Sequence, residues 1–186
     1  MSEPSPSLKG QLLLDGGNLA GSWFQRTVVL ICQHDAEGAF GLVLNRPAGA
    51  KVGDALEGTF PESLNGMPLL FGGPVQPGAL SYLRSEPFLP SASVMPNVEL
   101  GHSLDDLVEL ASGFAAERRL KVFAGYSGWS PGQLESEMAR KAWITHPADL
   151  ELIFDDDPDT LWRRILKLKG GLFALIADAP EDPSRN

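Results

Sequence analysis

Cysteine is nearly missing from this chain: Cys32 stands alone in 186 residues, so no disulfide can form within it. Folding is left to the burial of apolar surface, and a lone thiol suits a reducing compartment, the cytoplasm. Histidine is scarce too. The three present, together with Cys32, show no metal-ligand spacing, and neither a metal nor a cofactor is expected. No stretch reaches the ~20 apolar residues of a membrane helix. Met1 to Leu8 is rich in Ser and Pro and lacks the basic and apolar regions of a signal peptide. Positive charge is the last shortage: 15 Lys+Arg face 24 Asp+Glu, a net charge of -9. Such a chain repels phosphate backbones unless its cations cluster. Two clusters exist, Arg118-Arg119-Leu120-Lys121 and Arg163-Arg164 with Lys167 and Lys169. Each suits the negative end of a helix.

What is present is a chain long enough to bury a sizeable core. The expected organisation is one domain over residues 9–178, with flexible polar tails at 1–8 and 179–186. Lys9 to Asp15 reads as a first strand. Thr27 to Gln33 is β-branched and continuous, as a strand covered on both faces would be. Ala39 to Leu44 returns as its hairpin partner after a turn ending in Gly38. Pro68 to Phe71, Ala79 to Arg84 and Lys121 to Gly125 are further strands. Ser103 caps a helix whose apolar positions are Leu104, Leu107, Val108, Ala111 and Phe114. Ser130-Pro131-Gly132-Gln133 opens a second, burying Leu134, Met138 and Ala142, with Glu137 and Lys141 paired on its outer side. Asp157-Pro158 opens a third, with Leu161, Trp162, Ile165 and Leu168 inward and Gly170-Gly171 as its stop. Trp143 to Thr145, Leu150 to Phe154 and Leu172 to Ala177 read as strands. Strands crowd the first half and helices gather later, which predicts an α+β fold.

Three segments join strand-like runs to turns of Gly, Pro and a few polar groups: Asn45-Arg46-Pro47, Gly72-Gly73-Pro74 and Gly125 to Glu135. They suggest a surface where backbone comes close to a partner. The last resembles a nucleophile elbow around Ser127, but Trp129 stands where that pattern needs Gly. Its helix start offers free N–H groups, and Tyr126 and Trp129 offer flat amphipathic area, unless Trp129 plugs the core instead. Arg46 has the fork for a carboxylate or phosphate, unless it pairs with a neighbouring acid. The candidate binding set is Asn45, Arg46, Gly73, Tyr126, Ser127, Trp129 and Gln133. Cys32 and His34, two apart on a strand, would share a face. Parallel side chains make a poor dyad, and Cys32 also reads as a core residue. No phosphate loop is present.

The runs Phe24 to His34 and Gly38 to Pro47, with Gly72-Gly73-Pro74-Val75, Gly125 to Glu135 and Trp143, resemble the bacterial AlgH/YqgE family. The resemblance extends from about Leu12 to Ala177. It implies an irregular, strongly coiled and bifurcated, mostly antiparallel β-sheet core with about three main helices packed on it, and a bacterial cytosolic protein without an assigned catalytic residue. Members often carry the label transcriptional regulator. Acidity and the absence of a visible helix-turn-helix argue against direct DNA contact. The expected function is therefore non-catalytic binding or regulation, with a small molecule or a protein as partner. The alternatives are a hydrolase or transferase using Ser127 or Cys32 with His34, and DNA binding through Arg163, Arg164, Lys167 and Lys169.

Overall fold

The structure is a computed structural model and describes residues 5–181. Its first strands are β1 (Gln11–Asp15), β2 (Val28–Asp35), β3 (Gly38–Val43) and β4 (Pro47–Lys51). Two single-turn helices follow, α1 (Val52–Ala55) and α2 (Glu62–Asn65). Then come β5 (Pro68–Phe71), β6 (Val75–Ser85), β7 (Val98–Gly101), α3 (Leu104–Ser112), β8 (Arg119–Trp129), α4 (Gln133–Ala139) and β9 (Trp143–Pro147). Two helices close the chain, α5 (Leu161–Lys169) and α6 (Gly171–Asp178). Among the described residues the strands form one mixed sheet, ordered β4-β5-β8-β3-β2-β1-β9, with β6 beside β8 and β7 beside β6. The fold is α+β, as the sequence predicts.

The β2–β3 hairpin forms as expected, running from Val29↔Val43 to Asp35↔Gly38. Its apolar run buries both faces: Leu30 and Cys32 face the side covered by α5 and α6, Val29 and Ile31 the side covered by α4. A third cluster packs α3 on β5, β6 and β8 through Leu107, Leu69, Tyr82 and Val122. The strand that couples these layers is β8. Its first half lies between β5, in parallel, and β6, antiparallel, while Ser127 to Trp129 pair with β3. Gly125, at φ +70°, makes the bend that lets one strand pair first with β5 and β6 and then with β3.

Several expectations are corrected. Gly125 to Trp129 is strand, not turn. Leu150 to Phe154 is a wide helical turn closed by the Asp156 N–H on the Glu151 carbonyl at 3.1 Å, with Asp149 Oδ1 accepting the Leu152 N–H at 2.8 Å. Leu172 to Ala177 is helix α6, which gives four longer helices among the described residues where about three are expected. Gly170, at φ +70°, reverses the chain so that α6 folds onto α5. Short apolar runs carry no period that separates strand from helix. Phe114 and Leu168, expected inside, are 95% and 61% exposed: Phe114 lies past the end of α3, and the neighbouring Leu166 takes the inward position on α5. The expected tails extend at both ends outside the described residues.

Candidate functional site

The three motif segments converge. The Phe71 N–H donates to the Arg46 carbonyl at 2.8 Å, the Val43 N–H to the Gly72 carbonyl at 2.9 Å, and the Gly72 N–H to the Ala124 carbonyl at 2.9 Å. Glycine is required here by approach rather than by φ. A Cβ on Gly73 would collide with the Tyr126 carbonyl, and one on Gly72 with that of Gly125. The convergence is a backbone junction binding β3, β5 and β8 together.

The candidate side chains are largely engaged in that framework. Asn45, buried, accepts the Val28 N–H at 2.9 Å and donates to the Arg26 carbonyl at 2.8 Å. Ser127 is fully buried and donates to the Gly72 carbonyl at 3.1 Å. Trp129 lies in the core beneath α4. Gln133, the first residue of α4, reaches back to accept the Ser130 N–H at 3.0 Å. Tyr126 lies on the opposite face of β8 and stacks on Phe40, 4.8 Å between centroids. Arg46, half-buried, donates to the Gln25 carbonyl. The set therefore occupies both faces of the sheet rather than a single surface.

Cys32 and His34 are separated by a β-bulge, because Ile31 pairs with Gly41 while Gln33 pairs with Phe40. The extra residue turns Cys32 into the core and His34, paired with Ala39, to the other side, so the shared face expected from spacing is lost. Burial pushes the Cys32 thiol far above its ordinary pKa. His34 Nδ1 accepts the Leu8 N–H at 2.9 Å, so Nε2 carries the proton and donates to Glu135 Oε1, also at 2.9 Å. Both ring nitrogens are committed. No cluster of three or more His, Cys, Asp or Glu residues able to hold a metal occurs among the described residues.

The basic residues of α5 are likewise engaged. Arg164 pairs with Glu151 and Asp156, and Lys167 with Asp178 at 3.0 Å. Arg163 and Lys169 donate to the carbonyls of Ala177 and Thr145.

An open cleft lies elsewhere, between the β6–β7 pair and α3. It encloses about 610 Å³ and is lined by Tyr82, Arg84, Glu99, Asp106, Glu109 and Arg118, among others. Arg84 Nη2 meets Glu99 Oε2 at 2.6 Å, and Arg118 meets Glu86. Arg118 also donates to the Leu110 carbonyl at 2.8 Å, tying the end of α3 to β8. Asp106 and Glu109 add carboxylates on the helical wall. Burial, and then the charge of Asp106, raise the Tyr82 hydroxyl above its ordinary pKa. The volume suits a small ligand, and the lining is more polar than most ligand pockets.

The AlgH-like family model, DUF179, matches residues 12–174. The chain belongs to that family. A UPF0301 protein of Chlorobium chlorochromatii is 38% identical over 180 residues, covering 95% of this chain and 94% of its own. A UPF0301 protein of Chlamydia caviae is 37% identical over 176 residues, covering 94% and 93%. The solution structure of the AlgH protein from Pseudomonas aeruginosa superposes with a TM-score of 0.73 at 31% identity, covering 97% of this chain and 99% of its own. A crystal structure of a Corynebacterium diphtheriae protein gives the same TM-score at 18% identity over 96% and 95%, a likeness of fold. Their names state neither a reaction nor a ligand.

Sequence reasoning missed two features of this AlgH-like chain. The cleft draws on β6, β7, α3 and β8, and no single motif spans them. Glu137 does not pair with Lys141. Its Oε2 accepts the indole N–H groups of Trp129 and Trp143, and its Oε1 accepts from Gln133 at 3.1 Å. A buried tryptophan N–H needs an acceptor, and an acid eight residues beyond Trp129 was the available signal.

Proposed function

We propose that this chain is a non-catalytic binding protein of the cytoplasm, with a regulatory role exerted through a small polar ligand or a protein partner and not through direct contact with DNA. The observation that carries this reading is the charged cleft of about 610 Å³ between β6–β7 and α3. Arg84 and Arg118 stand against Glu99, Asp106 and Glu109, a balance that favours a ligand carrying positive charge.

Catalysis is disfavoured because each nucleophile considered is buried or already bonded. The Ser127 hydroxyl has no access, the Cys32 thiol is held protonated, and His34 has no free nitrogen to act as a base. DNA binding is disfavoured because the α5 cations are spent within the chain and the net charge is -9.

The experiment is a hydrolase and transferase activity screen of the wild-type, Ser127→Ala and Cys32→Ala chains, run beside duplex binding at low salt. The expected outcome is no turnover and no duplex affinity. Turnover by the wild-type chain, or duplex binding that weakens steeply with salt, would overturn the reading.

A further inference from the structure

The corner between β1 and β2 carries two arginines that the cleft does not use. Asp15, at the end of β1, is almost fully buried. Its carboxylate accepts the N–H groups of Gly17, Leu19 and Arg26 at 2.8, 3.2 and 2.8 Å. Arg26 adopts left-handed backbone, φ +55°, which is uncommon for a residue with a Cβ. Asn45 holds its carbonyl at 2.8 Å. Both polar ends of the Arg26 backbone are pinned, and its guanidinium is placed over the Trp162 ring, 5.0 Å from the centroid. Arg46, next to Asn45, donates to the carbonyl of Gln25. Burial lowers the Arg46 pKa, and the charge of Glu181 nearby offsets part of that shift.

Residues 179–181 fill this corner as a ligand would. Arg26 Nη2 donates to the Ala179 carbonyl at 2.6 Å, and Arg26 Nη1 meets Glu181 Oε1 at 3.3 Å. Gln25 Nε2 donates to the Glu181 carbonyl at 3.2 Å. A cavity of about 140 Å³ remains among Asp15, Arg26, Trp162, Ile176 and Pro180. The Arg26 side chain is 18% exposed and that of Glu181 76%. The receptor side is rigid and sheltered, whereas the carboxylate is held by an exposed contact of the kind that adds little.

We propose that Gln25, Arg26 and Arg46 form a recognition site for an extended acidic peptide, one presenting a backbone carbonyl with a carboxylate two residues further on, and that residues 179–181 occupy it in cis. A partner bearing such a segment competes with the chain's own C-terminal segment. The guanidinium fork of Arg26 supplies the geometry, and a point charge does not replace it.

The test uses the full chain carrying Pro180→Gly and Glu181→Ala, titrated with acetyl-Ala-Pro-Glu-amide and followed by amide chemical shifts. Binding is expected with a dissociation constant on the order of 1 mM, and shifts centred on Gly17, Gln25 and Arg26. The wild-type chain, with its tethered competitor, is expected to bind roughly threefold to tenfold more weakly. Adding Arg26→Lys to the double variant is expected to abolish binding while leaving the remaining amide spectrum in place. Acetyl-Ala-Pro-Ala-amide is expected to give no shifts. Absence of shifts at these amides with the glutamate peptide, or equal binding of both peptides, overturns the proposal. Inorganic phosphate binding as tightly as the glutamate peptide overturns it as well, in favour of an unspecific anion site.

Discussion

The indole N–H groups of Trp129 and Trp143 converge on a single oxygen, Oε2 of Glu137, at 2.9 and 2.8 Å. One carboxylate thereby joins the end of β8 to the start of β9 under α4. The rings stand edge-on with centroids 6.2 Å apart, and Leu134 and Met138 of α4 pack in the same cluster.

That arrangement makes Glu137→Ala costly. Two charge-assisted hydrogen bonds disappear and two sheltered donors are left unpaired, for a loss of about 3 kcal/mol. Over a chain of this length the melting temperature should fall by roughly 6–12 °C. Glu137→Gln keeps an acceptor oxygen and should lose about 1 kcal/mol. Urea denaturation followed by tryptophan fluorescence gives both values, and equal losses would mean that the neutral acceptor recovers nothing and the charge carries the whole contribution.

At Gly73 the limit is steric. Gly73→Ala drives a methyl into the Tyr126 carbonyl, and neither backbone can yield without opening the junction. A loss of more than about 4 kcal/mol is expected, enough to remove soluble folded protein. Gly132→Ala is the control: its φ is +75°, but nothing lies within 4 Å of the added carbon. Its cost should stay near 1 kcal/mol, the strain of the left-handed conformation alone. Thermal melts of the two variants separate collision from strain.

Cys32 should behave as an inert core residue. Its side chain is fully buried and its thiol stays protonated through the physiological range. At about pH 8 a small-molecule disulfide reagent should modify it only when the chain opens, and completely in denaturant. Fast labelling of native protein would show that the strand is more open than this packing allows.

Glu135 sets an acid limit. Its own backbone N–H and the His34 Nε2–H hold its carboxyl below the ordinary carboxylate range. A carboxyl with a lowered folded pKa adds stability that is present above its unfolded value, about 4.3. That stability is lost as pH falls through the lowered one. Wild-type stability should therefore drop on acidification from about pH 4.3 down through the lowered value, and Glu135→Gln should flatten this part of the profile. The change will be small, since the carboxylate is about one-third exposed. An unchanged slope would show that neither the backbone N–H nor the His34 contact holds the Glu135 carboxylate in solution.

Local chemistry made much of the fold legible. The β2–β3 hairpin follows from a β-branched run closed by Gly38, and the Ser103 cap from a hydroxyl placed to accept the Asp106 N–H, seen at 3.2 Å. What stayed hidden depends on tertiary context. Leu150 to Phe154 and Leu172 to Ala177 are apolar runs too short to declare a period, and packing on α5 and β8 decides for helix. The bulge at Cys32 changes which face His34 occupies without any mark in composition. The motif glycines were rightly read as points of close approach, but what approaches is the chain's own backbone. Trp129 fits the core alternative for the same reason. Its indole has its partner in Glu137, from the helix that the motif itself begins.

The most direct test of the binding account is native mass spectrometry of the wild-type and Glu109→Arg chains, purified gently from the cells that make them. Glu109→Arg reverses a charge on the open wall of the cleft and leaves the core beneath it untouched. The account predicts a polar small molecule or a protein at fixed stoichiometry on the wild-type chain and its loss from the variant, with both chains folded. A bound species retained equally by the variant, or two bare chains, would contradict the assignment of binding to this cleft.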